Sequence, residues 1–500
     1  MGPSPSPSSW RSRAPAVLPL ILLYVIAESL TEFSVAGIFQ AIECQKAPPA
    51  HPPEIPCQSP EVRKAASRDR ATYVVITTVL GMLVSGPFSR ALDFSGRKKT
   101  VGIAVSVQLI STGLRVLVAS YTAYQTTPAL LVIAVIQGLG GGPIVFRAAH
   151  LALMSDSSSA TTRSLHFFLA RVTATAGSVI AASGAIPLLI TENISALLLV
   201  SQGCWIFYLV YLTFILREAQ VSSASASSES GFTPRSLYKA TIDPLILFFG
   251  KLRHGLLWAG GVVLILPMAE QCTLLYFMHI FDSERASVQA MYLVLSSGAA
   301  GMMSLLVVLP LTTAFYRRRY GKKVIVEGTA TTPTERTPLL KDETKLQKAD
   351  AVPTPPSTTT LSPNSLSISQ DLFVVRASFV AFVIGTLAMI FRSSVLGLTI
   401  GFSIYALASP FQPAIQSLAS QVAKPNQQGR ILTVLVVIDN LATEIINPRL
   451  LSRYGGPPDQ DPTFAIYASA VARKIVGWLS RYSRFDFANA AFSVTLCVQW

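Results

Sequence analysis

The sequence predicts an all-α integral membrane protein, a helical bundle of six spans, a linker and about six more. Three observations carry that reading. Of 500 residues, 51% are hydrophobic and only 13% charged, a balance foreign to soluble domains and usual for polytopic membrane proteins. Apolar runs of about 20 residues recur along the chain, long enough to cross a hydrocarbon core as helices, and they lack the alternation of barrel strands. They also fall into a set of six, a Ser-rich interruption, and about six more.

A tail, 1–14, precedes the first half, 15–216, with spans at 15–40, 71–91, 100–120, 128–154, 164–190 and 195–216. The first run is too long for a cleavable signal peptide. The stretch REAQVSSASASSESGFTPRSLYK is too polar to pack a core, so 217–255 is a linker. The second half, 256–500, resumes with spans at 256–281, 286–315, 372–391, 395–422 and 431–451. A twelfth span would lie near 484–500. The segment before it carries Arg473 and Lys474 in its middle, which lipid disfavours. The sequence from about 457 therefore fits either a short helix or a misassembled end.

The net charge is +14. In a soluble protein that would point to nucleic acid, but no basic-aromatic motif is present. Here the cations gather in alternate gaps between spans: 91–99, the 217–254 linker, and YRRRYGKK after the eighth span. Cytosolic loops hold such excesses, so both ends of the chain are expected in the cytosol, and the cations also touch anionic lipid. The loop after the first span is an exception, with acids offsetting its cations. Asn193 opens the sequon NIS on the opposite side, an acceptor for N-glycosylation. Cys44 and Cys57 share that first loop. They would form a disulfide if it faces an oxidising compartment, and two unpaired thiols are the alternative.

The loop 320–370 is Thr-, Pro- and Ser-rich and is expected to be disordered. Within it, ERTPLL sets Glu335 ahead of Leu339 and Leu340, a pattern resembling the acidic dileucine signal that clathrin adaptors read. It implies sorting to a vacuole or endosome; the plasma membrane is the alternative.

SGPFSRALDFSGRKKT after the second span has an echo in RRYGKK after the eighth. Both set a glycine before clustered cations, as a duplicated six-helix unit would. With its placement, this stretch resembles the signature of the major facilitator superfamily. Asp93, Gly96, Arg97 and Lys98 match that signature, whereas Ser89 and Phe94 stand where a glycine and an arginine are usual. The stretch QGLGGGPIVFRAAHLALMSDSSSATTRSLHF resembles the fourth helix and following loop of the fungal-type, proton-coupled folate carrier-like branch, with Asp156 and Arg163 at matching positions. The resemblance implies alternating access, two halves rocking about a central cavity, with Asp93, Gly96, Arg97, Lys98, Asp156 and Arg163 as a gating loop.

Ionisable residues inside spans are functional candidates by default. Glu28 and Glu32 are four apart, on one face of the first span. Arg147 and His150 lie in the fourth span, Arg171 in the fifth, Glu270 in the seventh, and Asp439 and Glu444 in the eleventh. Carboxylates here suit proton carriage, and arginines suit an anionic solute or a balancing partner. No nucleotide-binding loop, metal-ligand spacing or catalytic set occurs, so no cofactor, no metal and no enzyme activity are expected. The expected partners are a small organic solute, protons and the bilayer, with a clathrin adaptor through the dileucine. The function expected is secondary transport driven by protons. A receptor or sensor on the same scaffold is the alternative, supported by the altered signature loop and the weak twelfth span.

Overall fold

We describe the fold from a computed structural model. It describes residues 14–46, 60–94, 96–158, 162–191, 193–216, 298–311 with 314, 315 and 318, 363–390, 395–422 and 428–441. Outside these residues lie the linker 217–255, the seventh span, most of the loop 320–370 and everything from 442 onward. So do Cys57, Glu270, Glu335, Leu339, Leu340 and Glu444.

The first half forms α1 (Leu18–Lys46), α2 (Pro60–Phe94), α3 (Arg97–Ser120), α4 (Thr127–Leu139), α5 (Gly142–Asp156), α6 (Arg163–Ile190) and α7 (Ile194–Phe214). From the second half come α8 (Gly298–Leu311), α9 (Pro363–Ile390), α10 (Val395–Ala406), α11 (Phe411–Val422) and α12 (Gln428–Asn440). Among the described residues, six segments, α4 and α5 counted as one, are long and apolar enough to cross a membrane. The outer surface agrees. Along α3, Ile103, Ile110 and Leu117 are 61%, 59% and 51% exposed; they recur every seventh residue and form a stripe that water would penalise and lipid accepts. The chain is a multi-pass integral membrane protein.

Two helices outrun their apolar cores. α2 starts at Pro60, well before the apolar run at 71, because Glu61, Lys64, Ala65 and Ala66 are good helix formers in water. α1 continues to Lys46. Each extension is tied to the connection from α3 to α4, Gln45 donating to Gln125 at 2.8 Å and Thr127 donating to Asp69 at 3.1 Å.

Two apolar clusters stack along the axis of the first half and define its ends. Val17, Leu20, Leu92, Val101, Met154, Phe167 and Leu216 pack at one end. Val35, Phe39, Ile42, Tyr73, Val118, Leu130 and Leu198 pack at the other. The 90–99 turn lies at the first, which we call the basic end.

The expected fourth and tenth spans are each two helices. α4 stops at Leu139, and α5 restarts at Gly142 after Gly141 at φ 89. A side chain there would meet the left-handed penalty and sit 2.2 Å from Val145 Cγ2, so the position demands glycine. α10 and α11 are separated by the turn 407–410. At 1.5 Å per residue both breaks lie about 20 Å from the basic end. The fourth helix of each half is thus interrupted at the same depth.

Candidate functional site

The turn between α2 and α3 is built around Gly96, whose φ of 97 is open to glycine and strained for other residues. Asp93 is the second-last residue of α2. Arg97 and Lys98 open α3, and each reaches the last turn of another helix in the same half. Arg97 bonds the Ala152 carbonyl and pairs with Asp156 near the end of α5. Lys98 donates to the Thr213 carbonyl of α7 at 2.7 Å. Helix C-termini carry unsatisfied carbonyls and partial negative charge, so these cations fasten three helix ends together.

Contact between the halves at this end comes from the next residues along. Arg163 donates to the Ser420 carbonyl of α11 at 3.3 Å. Beside it, Ser164 donates to Asp371 of α9 at 2.6 Å. That carboxylate is 1% exposed and also accepts from Ser417 at 2.7 Å and Gln421 at 3.0 Å, both on α11. Asp371 thus ties three helices, one from the other half, with neutral donors alone. Sequence reading missed it because it stands just outside the apolar run that begins at 372. An acid at the mouth of a span was the available signal.

Deeper in, the halves meet again. α12 packs against α2 and α5. Arg147 of α5 pairs with Asp439 of α12 at 3.4 Å. Asp439 also senses Arg171 of α6 and accepts from Gln412 of α11. On the first-half side, the buried Tyr24 hydroxyl lies beside Arg147 and within the field of Glu28 and Glu32, yet makes no well-aligned hydrogen bond. Counted along their helices at 1.5 Å per residue, Glu28, Arg147, Arg171, Gln412 and Asp439 lie between about 12 and 20 Å from the basic end. That is near the middle of a hydrocarbon core about 30 Å thick. Of the candidates expected from sequence, Glu28, Arg147, Arg171 and Asp439 therefore share one level, with Glu32 one turn further along α1.

His150 bonds Tyr208 at 2.8 Å within a cluster of Tyr24, Phe146 and Trp205, a packing role inside the first half. Another ionisable group went unremarked in the sequence. Arg115 of α3 is fully buried and bonds Tyr73 and Gln137 near the far end. Asn193 caps α7 at that same end, accepting from the Ala196 amide at 3.1 Å. Cys44, also there, is disulfide-bonded. No cluster of metal-ligating side chains occurs among the described residues.

No family model matches the sequence, and no curated protein does. Solved structures do. The human organic anion transporter MFSD10 is 14% identical, with 93% of this chain and 98% of that one covered, at a TM-score of 0.60. A bacterial homologue of the iron transporter ferroportin, in an outward-facing state, is 13% identical over 94% and 99%, at 0.54. FucP of E. coli, a fucose:proton symporter, solved as a major facilitator superfamily transporter in the outward conformation, is 13% identical over 95% and 99%, at 0.53. At such identities the likeness is one of architecture: the chain has the all-α major facilitator fold.

Proposed function

We propose that the chain is a secondary transporter of the major facilitator superfamily that moves a small organic solute by alternating access. The observation that carries this is the Arg147–Asp439 pair, 3.4 Å across the two halves at mid-membrane depth. Burying charge there is costly, and a pair that spans two moving bodies can be broken and remade as they rock. The contacts of Arg163 and Ser164 with the second half support a closed basic end. With that end in the cytosol, the closed contacts belong to an outward-facing arrangement.

Proton coupling is the finer part of the proposal. Among the described residues, Asp439, Glu28 and Glu32 are the carboxyl groups near that level, and protonating Asp439 would release Arg147 and loosen the halves. We assign gating to Arg163 with Ser164 and Asp371, and an anchoring role to Gly96, Arg97, Lys98 and Asp156, with Asp93 in the same turn. The orientation is supported by the ends themselves. Cys44 is in a disulfide, with Cys57 as its proposed partner, and Asn193 is exposed, both at the end opposite the cations. Sorting by Glu335, Leu339 and Leu340 to a vacuole or endosome remains part of the proposal. Its check is relocation to the cell surface in Leu339→Ala/Leu340→Ala.

The test of transport is a proteoliposome carrying a trapped pH-sensitive dye, challenged with sugars, nucleosides and small carboxylates under an imposed pH gradient. Solute-dependent proton movement is expected, with loss in Asp439→Asn. A solute that binds the purified chain yet never moves would establish a receptor instead.

A further inference from the structure

The mid-membrane charges among the described residues differ in their surroundings. Asp439 is engaged by Arg147. Glu28 and Glu32 act on the α1–α2 side, where Tyr24 and Tyr73 both sense them. Arg171 differs. It is exposed on α6, and no carboxylate among the described residues lies within ion-pair distance of it. On α6, Ser164 two turns earlier donates to Asp371 of the second half, and the adjoining Phe168 and Val172 pack against Leu305, Leu309 and Val374, so Arg171 borders the face of α6 that meets the second half. Thr175 and Ser178, one and two turns further from the basic end, extend a polar stripe from it. A guanidinium in the middle of a 26-residue apolar span is unfavourable unless water or an anion solvates it.

We propose that Arg171 anchors a small organic anion, a monocarboxylate, in the cleft between the halves; this rests on the transport reading above. A guanidinium presents parallel N–H groups that match both oxygens of a carboxylate. The incoming group need not displace an ion pair at Arg171, because Asp439 is already held by Arg147. A second negative charge on the solute would meet Glu28 and Glu32 on the α1 side of the site. Monoanions are therefore favoured over dianions, through repulsion as much as attraction.

The experiment is thermal unfolding of the purified full chain in detergent. The probes are lactate and benzoate, their neutral amides, and succinate, each against sodium chloride of equal ionic strength. Saturable stabilisation by lactate or benzoate is expected, with none from the amides and at least tenfold weaker apparent affinity for succinate. Arg171→Gln should lose at least tenfold in apparent affinity for the acids. Arg171→Lys keeps the charge but not the fork, guards against misfolding, and should lose severalfold. Amides that stabilise as well as the acids, acids that bind Arg171→Gln undiminished, or no stabilisation by any probe would each overturn the anion site. The two readings separate in liposomes. Carboxylate binding without flux defeats transport and leaves the anion site standing, whereas flux of neutral solutes alone does the reverse.

Discussion

Arg97 and Lys98 earn their place at helix ends rather than between the halves. Each donates to carbonyls at a helix C-terminus, and Arg97 also holds Asp156. Removing the fork should loosen one half without shifting the balance between conformers. Arg97→Gln is expected to lower the thermal midpoint and to leave the accessibility of a cysteine at Ser420 unchanged. Gly96 is a separate case. Alanine there must adopt a φ near 97, costing roughly 1–2 kcal/mol, so Gly96→Ala should lower the midpoint while every charge remains. Arg115 is buried with Tyr73 and Gln137 as neutral acceptors. Tyr73→Phe removes one and leaves the guanidinium under-satisfied, a loss of about 1–3 kcal/mol. Thermal unfolding reads it directly, and a variant in which Arg115→Met accompanies Tyr73→Phe should recover part of the loss, because no charge is left unpaired.

Among the elements, the two interrupted helices matter most. The break after α10 is stitched to α8: Ser304 donates to the Leu407 carbonyl at 3.1 Å, and Ser409 donates to the Gly301 carbonyl at 3.3 Å. Ser304 opens a π-helical turn, Ser304–Val308, so the two hydroxyls bridge two irregular stretches of backbone. The first-half break depends instead on Gly141. The short helices beyond the breaks, α5 and α11, carry Arg147 and Asp156 on one side and Gln412, Ser417 and Ser420 on the other. They are thus able to tilt as units on their breaks. Ser304→Ala with Ser409→Ala should leave two carbonyls unpaired and increase hydrogen exchange at 404–411 above that of α12. Unchanged exchange there would mean that the turn is rigid without its stitch.

For the whole molecule, on the proposed alternating-access reading, the balance between open and closed basic ends would depend on Arg147–Asp439 and on the Asp371 node. Arg147 is about two-fifths exposed, so its pair is worth no more than about 1 kcal/mol, roughly a fivefold change in conformer ratio. The Asp371 carboxylate is buried and accepts three hydrogen bonds, each of which is stronger for its charge. Asp371→Asn should therefore open the basic end more than Arg147→Gln does. Spin-label distances between α6 and α11 would rank the two. In a double-mutant cycle, Ser164→Ala should add little to Asp371→Asn, since they share one interaction.

Much of this protein was legible from hydropathy and charge. The six first-half spans, the gathering of cations at one end and the mid-span candidates Glu28, Arg147, Arg171 and Asp439 all follow from it, because the bilayer imposes one length and one polarity on every crossing segment. What the tertiary structure alone decided is partnership. Arg147 and Asp439 are 292 residues apart in the sequence, and no local pattern pairs them. Asp371 sits outside an apolar run and became a node only when α6 and α11 closed on it. The breaks at 141 and 407–410 hide within runs that read as continuous spans, since glycine and proline are tolerated in membrane helices wherever neighbours satisfy the freed backbone. Lipid dictates which residues form helices, whereas the packing of one half on the other dictates which charges meet.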